Sequence, residues 1–458
     1  LAMTWPEMAV TTDQPPALLG PGEINTEGSL DNYRIAGEGQ LVAPGMAALR
    51  WSLRAGGTAE GIQLEPFTVT SGPYELALSG AVSWQGPIVA NLGYRARAEQ
   101  LESLNPQLPP RLDATGVLAA RFEQQTLSLE KLELMLEQAP LHVASKGSVR
   151  LPADGDPVIE AELQWSSLQW PIPAQPTAAL ITSPEGRALL AGTADAWTIE
   201  LAVQLADGQV PAGEWQGRGA GNRTALQLDY LRGRVLDGEI SLAGNLGWNP
   251  VPRWNLAISG KHLNPGKWQP ELPGQLTFDF GSEGSVDPQS GLQGSFALRQ
   301  LSGELAGRPL ALAGNGAITG DAVQLDRLIL TSGDNRFSAS GELGGQRLRM
   351  DWALLAPDPG LLLPGSAGSL EANGRVEGSP SNPRLQARLA GHELQYEDRH
   401  LHRLAASLQA GTGAEAPLQL AIELGPLRQA GQTLLDSARL TAAGTTADHQ
   451  LELDLQAE

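Results

Sequence analysis

Residues 76–84 read LALSGAVSW and residues 240–248 read ISLAGNLGW. In the first stretch Leu76, Leu78, Gly80, Val82 and Trp84 share one parity, and Ala77, Ser79, Ala81 and Ser83 the other. In the second, Ile240, Leu242, Gly244, Leu246 and Trp248 alternate with Ser241, Ala243, Asn245 and Gly247. Phe337, Ala339, Gly341 and Leu343 repeat the pattern in diluted form. A period of two is the mark of a strand with one apolar face. Such strands cover only one side of something apolar, and whatever occupies that side has to be accounted for.

Upstream of each stripe lies an L-[DE]-x-L-like element: Leu64-Glu65-Pro66-Phe67, Leu228-Asp229-Tyr230-Leu231 and Leu325-Asp326-Arg327-Leu328. Its first leucine precedes the stripe glycine by 16 residues in all three copies. Partial copies begin at Leu129-Glu130-Lys131-Leu132 and at Leu435-Asp436. The apolar parity switches inside the element: Ile62 and Leu64 are even, Phe67 and Val69 odd. One additional residue produces that switch, and a β-bulge is the usual device, bending the strand while keeping its apolar side inward. A tight turn at each site is the competing reading.

Prolines punctuate the strands. Leu104-Asn105-Pro106 leads to Leu108-Pro109, Leu263-Asn264-Pro265 to Leu272-Pro273-Gly274, and Pro357 to Leu363-Pro364-Gly365. Proline cannot donate to a ladder, so these are turns or irregular excursions. Residues 122–138 and 396–409 also carry leucines at helical spacing. Neither has a cap, and alternation with one bulge fits them equally, so strand is preferred. Passes of about 20 to 25 residues including turns are expected, with neighbours about 4.8 Å apart.

Composition agrees with many short strands and many turns: Gly and Pro make up about a fifth of the 458 residues, and aromatics 5%. The formal net charge is −20, lysine occurs at four positions, and no basic block appears. A phosphate backbone would be repelled, which argues against nucleic acid. Cysteine is absent, which suits an oxidising compartment and many reducing ones alike. No run approaches the roughly 18 apolar residues of a membrane span. The openings LAMTWPEM and LELDLQAE at the two ends read as cuts within a longer protein, with any anchor lying outside.

Chemistry is hard to find. His400-x-His402 with Glu397 or Asp398 sketches a metal site, but no third ligand sits at a recognisable spacing, so no metal and no cofactor are expected. Residues 213–221, GEWQGRGAG, lack the Lys and Ser/Thr of a phosphate loop and read as a turn. Glu160 and Glu162 read as a solvated face. No catalytic constellation emerges, so the chain is expected not to be an enzyme. Trp84, Trp165, Trp248 and Trp352 lie in alternating stretches and read as packing rather than sugar platforms.

Residues 323–391 carry L-D-x-L-x-L-x-S-G, then G-x-L, W-x-L-x-A-P-D, L-P-x-x-x-G and G-x-x-x-x-P. This succession resembles the repeat region of the TamB family, the inner-membrane-anchored subunit of the translocation and assembly module, and weaker echoes cover most of the chain. The resemblance implies a central periplasmic segment of a Gram-negative protein. It also implies an AsmA-like, bridge-type lipid carrier folded as a β-taco-like groove, moving phospholipid towards the outer membrane, with the barrel protein TamA contacted by parts outside this segment.

The expected fold is therefore all-β: an elongated, bent β-sheet groove with an apolar concave interior and mostly antiparallel strands. It should form one continuous repeat-built groove over 1–458, with cassettes near 62–126, 127–224, 225–322 and 323–433 and a truncated one at 434–458. The expected lining is Leu76, Leu78, Val82, Trp84, Ile240, Leu242, Leu246, Trp248, Phe337, Leu343, Trp352 and Leu354, with phospholipid acyl chains as partner. A chaperone-like cradle that adds a strand to a client outer-membrane protein and a parallel β-helix passenger or adhesin are the alternatives.

Overall fold

In the computed structural model the alternation becomes strand almost throughout, and the strands pair antiparallel among the described residues. The structure describes residues 1–6, 8–10, 17–42, 47–103, 108–137, 140–152, 155–172, 180–206, 208, 210–345 and 347–457. Two compact units divide the chain, Leu1–Arg223 and Thr224–Glu458. Each is an open antiparallel sheet in which most strands pair with their neighbours in sequence. That arrangement excludes the parallel β-helix.

The strands in the regular run are 8 to 15 residues long, as in Gly22–Ser29 and Gly291–Leu305. They are single hairpin legs, so the passes are shorter than the 20 to 25 residues expected from the repeat. Both stretches with helical spacing are strands, Thr126–Leu136 and Arg399–Gly411. Residues 213–221 are a correction: GEWQGRGAG is the strand Gly213–Gly221, paired along its length with Ala196–Leu205, and not a turn. Its four glycines, Gly213, Gly217, Gly219 and Gly221, fall opposite Leu205, Leu201, Ile199 and Trp197, where bulky neighbours supply the contact that the glycines lack.

Bulges stand where the parity switches. Leu64 pairs with Gly80 and Phe67 with Leu78, so Glu65 and Pro66 together face the single residue Ser79. The same register holds for Leu228 with Gly244 and Leu231 with Leu242, and for Leu325 with Gly341 and Leu328 with Ala339. The 16-residue interval is thus a hairpin register, fixed by one bulge and one turn. The strand Gly61–Ser71 carries the extra residue against its other neighbour too, pairing Leu53 with Phe67 and Ala55 with Leu64. An insertion felt by both neighbours keeps the two halves of the strand on one face.

The stripe glycine has a defined duty. Gly80, Gly244 and Gly341 sit at φ of 130°, 143° and 149°. A Cβ on Gly244 would lie 2.0 Å from the Asn255 carbonyl oxygen on the next strand. Glycine alone adopts this backbone without strain and lets the neighbouring chain approach.

Two proline excursions are built alike. After Leu263, Asn264 Oδ1 accepts from the Gly266 and Gly274 amides at 3.0 and 3.2 Å, closing a 3-10 turn over Pro265–Lys267. After Ala356, Asp358 Oδ1 accepts from the Gly360 amide at 3.2 Å over Pro359–Leu361. In the first unit a 3-10 turn spans Leu101–Ser103, and the adjoining Leu104-Asn105-Pro106 lies outside the described residues.

Candidate functional site

Directly paired residues of an antiparallel sheet share a face, so the register defines the two surfaces of each unit. In Thr224–Glu458 one row runs Leu231, Leu242, Ile258, Phe280, Leu298, Gly314, Leu328, Ala339 and Trp352. It continues through Gly374, Ala387, Leu408, Leu420 and Ala442 to Leu451. Every member is apolar or glycine. In Leu1–Arg223 the row through Leu78 passes Leu53, Phe67, Tyr94, Gly116, Leu134, Val143 and Trp165.

The expected lining residues fall on these faces. Leu76 and Val82 flank Leu78, paired with Ala96 and Ala90. Ile240, Phe337 and Leu354 share a second row of the second unit, Leu242 and Trp352 the first, and Leu246 and Leu343 a third. Trp84 and Trp248 differ from the rest. Each stands one residue beyond its strand, Tyr74–Ser83 or Gly238–Gly247, and is 40% or 46% exposed at the margin of the face. Trp84 Nε1 donates to the Ala59 carbonyl at 2.7 Å, which turns the indole back onto the adjacent hairpin.

The apolar face is the more enclosed of the two, as alanine shows. Ala55, Ala114, Ala372 and Ala442 on it are only 4–9% exposed, whereas Ala81, Ala202, Ala257 and Ala353 on the opposite face are exposed. The residue type is the same, and within each unit both faces belong to one layer of strands. Side chains therefore converge on the apolar side and splay on the other, which is curvature towards the apolar side. Enclosure is partial: Leu76, Leu343 and Leu453 remain 37%, 48% and 59% exposed, because no helix or second sheet layers over them among the described residues.

The other face is ionic. Asp113, 2% exposed, accepts from Arg97 Nε at 2.8 Å and from Arg111 Nη2 at 3.0 Å. Glu162 takes Lys146 Nζ at 3.0 Å and Arg187 Nε at 2.9 Å, and the hydrogen bond from Lys146 leads in holding its carboxyl below the usual range. Glu160 and Glu162 thus lie on an outer face as expected. Shallow hollows of about 540, 400 and 520 Å³ lie on this side, lined by residues such as Glu38, Ser52 and Thr68, Gln164, Arg187 and Gln216, or Asp351, Arg375 and Gln409.

His400 and His402 meet Glu393 rather than Glu397 or Asp398: His400 Nε2 lies 2.6 Å from one carboxylate oxygen and His402 Nδ1 contacts the other. Burial works to raise the Glu393 carboxyl, and the charge and hydrogen bonds of His402 and His400 outweigh it, leaving it below its ordinary value. Among the described residues no cluster of three or more acidic or histidine side chains is arranged for a metal.

A family model described as TamB, N-terminal domain, matches residues 1–155 and, in a second alignment, residues 126–458. The chain belongs to the TamB family. The TamB family is a non-enzymatic component of the translocation and assembly module, acting with TamA in outer-membrane assembly, anchored in the inner membrane and extending into the periplasm. No solved structure matches the chain, and no helix among its described residues is long and apolar enough to cross a membrane.

Proposed function

We propose that each unit holds phospholipid acyl chains along its apolar face and passes them from row to row, as part of a periplasmic bridge from the inner towards the outer membrane. One observation supports this reading: a curved sheet whose inward rows are apolar or glycine across successive strands apart from small serines such as Ser145 and Ser282, with nothing packed upon them among the described residues. Apolar surface of that extent is costly in water. Each acyl CH2 moved onto it contributes about 0.8 kcal/mol, so two chains laid along the face offset much of the work of leaving a bilayer. Uniform Leu, Val, Ala and Gly rows offer no single deep well, which favours sliding. The polar face keeps the outside wet.

The test is organic extraction of the purified protein with mass spectrometry, joined to photo-crosslinking from single positions. Phospholipid adducts at Leu78 and Leu242 are expected. Adducts at Ser79 and Ser241 instead would place lipid on the wrong face and end the proposal. Strand addition by a client outer-membrane protein, to an edge strand such as His449–Gln456, is a second reading. It predicts client crosslinks along that strand and none at Leu242.

A further inference from the structure

A set of aromatic side chains on the apolar face lies across it rather than standing up from it. Trp165 pairs with Gly186, and a Cβ on Gly186 would fall 2.1 Å from Cζ2 of the indole. The ring therefore lies flat across the neighbouring strand, over the one residue type that leaves room. Trp254 covers Gly284 and Trp352 covers Gly374 in the same way, with Cβ positions 2.6 and 2.7 Å from the ring. The benzene ring of Phe278 covers Gly260, and the phenol of Tyr94 covers Gly116.

Hydrogen bonds show how flat the rings are. Tyr94 lies on the strand Ile88–Glu99, crosses Gly116 on the next, and donates from its hydroxyl to the Glu133 carbonyl two strands away at 2.8 Å. Strands are about 4.8 Å apart, so a tyrosine spans that gap only when laid in the plane of the sheet. Trp165 Nε1 donates to Ser183 Oγ at 2.9 Å and Trp254 Nε1 to Ser282 Oγ at 3.0 Å. Trp5 and Trp51 approach from opposite sides over Gly22 and Gly39, centroids 6.2 Å apart and planes at 17°. Polar atoms are tied sideways, and carbon faces the groove.

We infer that these glycines are seats that set the clearance of the lipid path. An indole standing on edge would be a step across rows otherwise built from Leu, Val and Ala, and a seated one is level with them. The glycines under the rings, more than the leucines between them, decide whether an extended acyl chain passes. This inference rests on the lipid reading above and adds to it the residues that govern passage.

Gly186 is the clean test, because the three atoms nearest its added Cβ all belong to the Trp165 ring and none to backbone. The full chain is incubated with vesicles carrying a phospholipid that bears a diazirine in one acyl chain, illuminated, and mapped by peptide. Gly186→Ala is expected to lower labelling of the apolar residues of Val158–Trp170 and Ala196–Leu205 by about fourfold per methylene displaced from the wall, with labelling around Leu78 unchanged. Adding Trp165→Leu to Gly186→Ala should restore it, and a urea midpoint of Gly186→Ala equal to that of the native chain separates a raised ring from a fold defect. Gly39→Ala, whose three nearest atoms likewise belong to a ring, Trp51, repeats the test should the first variant fold poorly. Unchanged labelling in Gly186→Ala overturns the seats while leaving the lipid reading in place. An unlabelled native chain overturns the lipid reading itself, and the seats fall with it.

Discussion

At the scale of single residues, backbone and charge make separable predictions. Gly244 combines a left-handed φ with a neighbouring carbonyl where its Cβ would be. Gly244→Ala should cost about 1–3 kcal/mol, read as a lower urea midpoint for the unit Thr224–Glu458. Gly93→Ala, whose Cβ meets nothing nearer than 3.7 Å, should stay within about 0.5 kcal/mol of the native protein. Glu162 is held below the usual carboxyl range by Lys146 first and by Gln164 and Arg187 with it. A depressed carboxyl contributes stability that is present above its unfolded value and lost as pH falls through its folded value. Unfolding midpoints of the native protein should therefore decline below about pH 4.5, and Glu162→Gln should flatten that slope. Little of this was legible beforehand. The stripe glycine was visible through its fixed distance from a leucine, but the ring seats were not: Trp165 precedes Gly186 by 21 positions and Trp254 precedes Gly284 by 30. Loop length separates such partners, and only the register brings them together.

At the scale of elements, the bulge is what sequence reveals best, because a parity switch has few physical causes. Its acidic signature was narrower than its geometry. Leu298-Arg299-Gln300-Leu301 forms the same bulge, with Leu298 opposite Gly314 and Leu301 opposite Leu312, although no carboxylate is present. What the element requires is two large apolar residues on one face with two outward residues between them; the acidic residue merely suits a solvated surface. GEWQGRGAG misled for a related reason, since glycine density suggests a turn until the partner strand is known to supply the bulk. Removing Pro66, so that a single residue faces Ser79, should force either the first or the second half of Gly61–Ser71 to turn its apolar side chains outward, Ile62 and Leu64 or Phe67 and Val69. Limited proteolysis should then cut within Leu49–Ser83, where the native chain resists. Retained protection would show that the extra residue is dispensable.

At the scale of the whole molecule, fold class and the polarity of the two faces were legible from alternation alone, and the expectation of an apolar concave side came from the bulges and the family resemblance rather than from alternation. Alternation says which side chains share a surface; the unequal burial of chemically identical alanines says which surface closes. An apolar face of this kind ties stability to its ligand. A phospholipid bound at a hundred times its dissociation constant would add about 2.7 kcal/mol, so detergent stripping followed by delipidation should lower the unfolding temperature, and returning phospholipid should raise it again. Equal melting with and without lipid would argue that the faces are filled by something else.

The same ladder of neighbour-to-neighbour hairpins also bears on biogenesis. Within each unit the great majority of strands find their partner in the segment made immediately before, as with Asn32–Val42, Leu49–Thr58 and Gly61–Ser71. Few long loops have to close before the next contact forms. Such a chain can zip up in the order in which it emerges during export, each new leg templated on the last, without waiting for its far end to arrive.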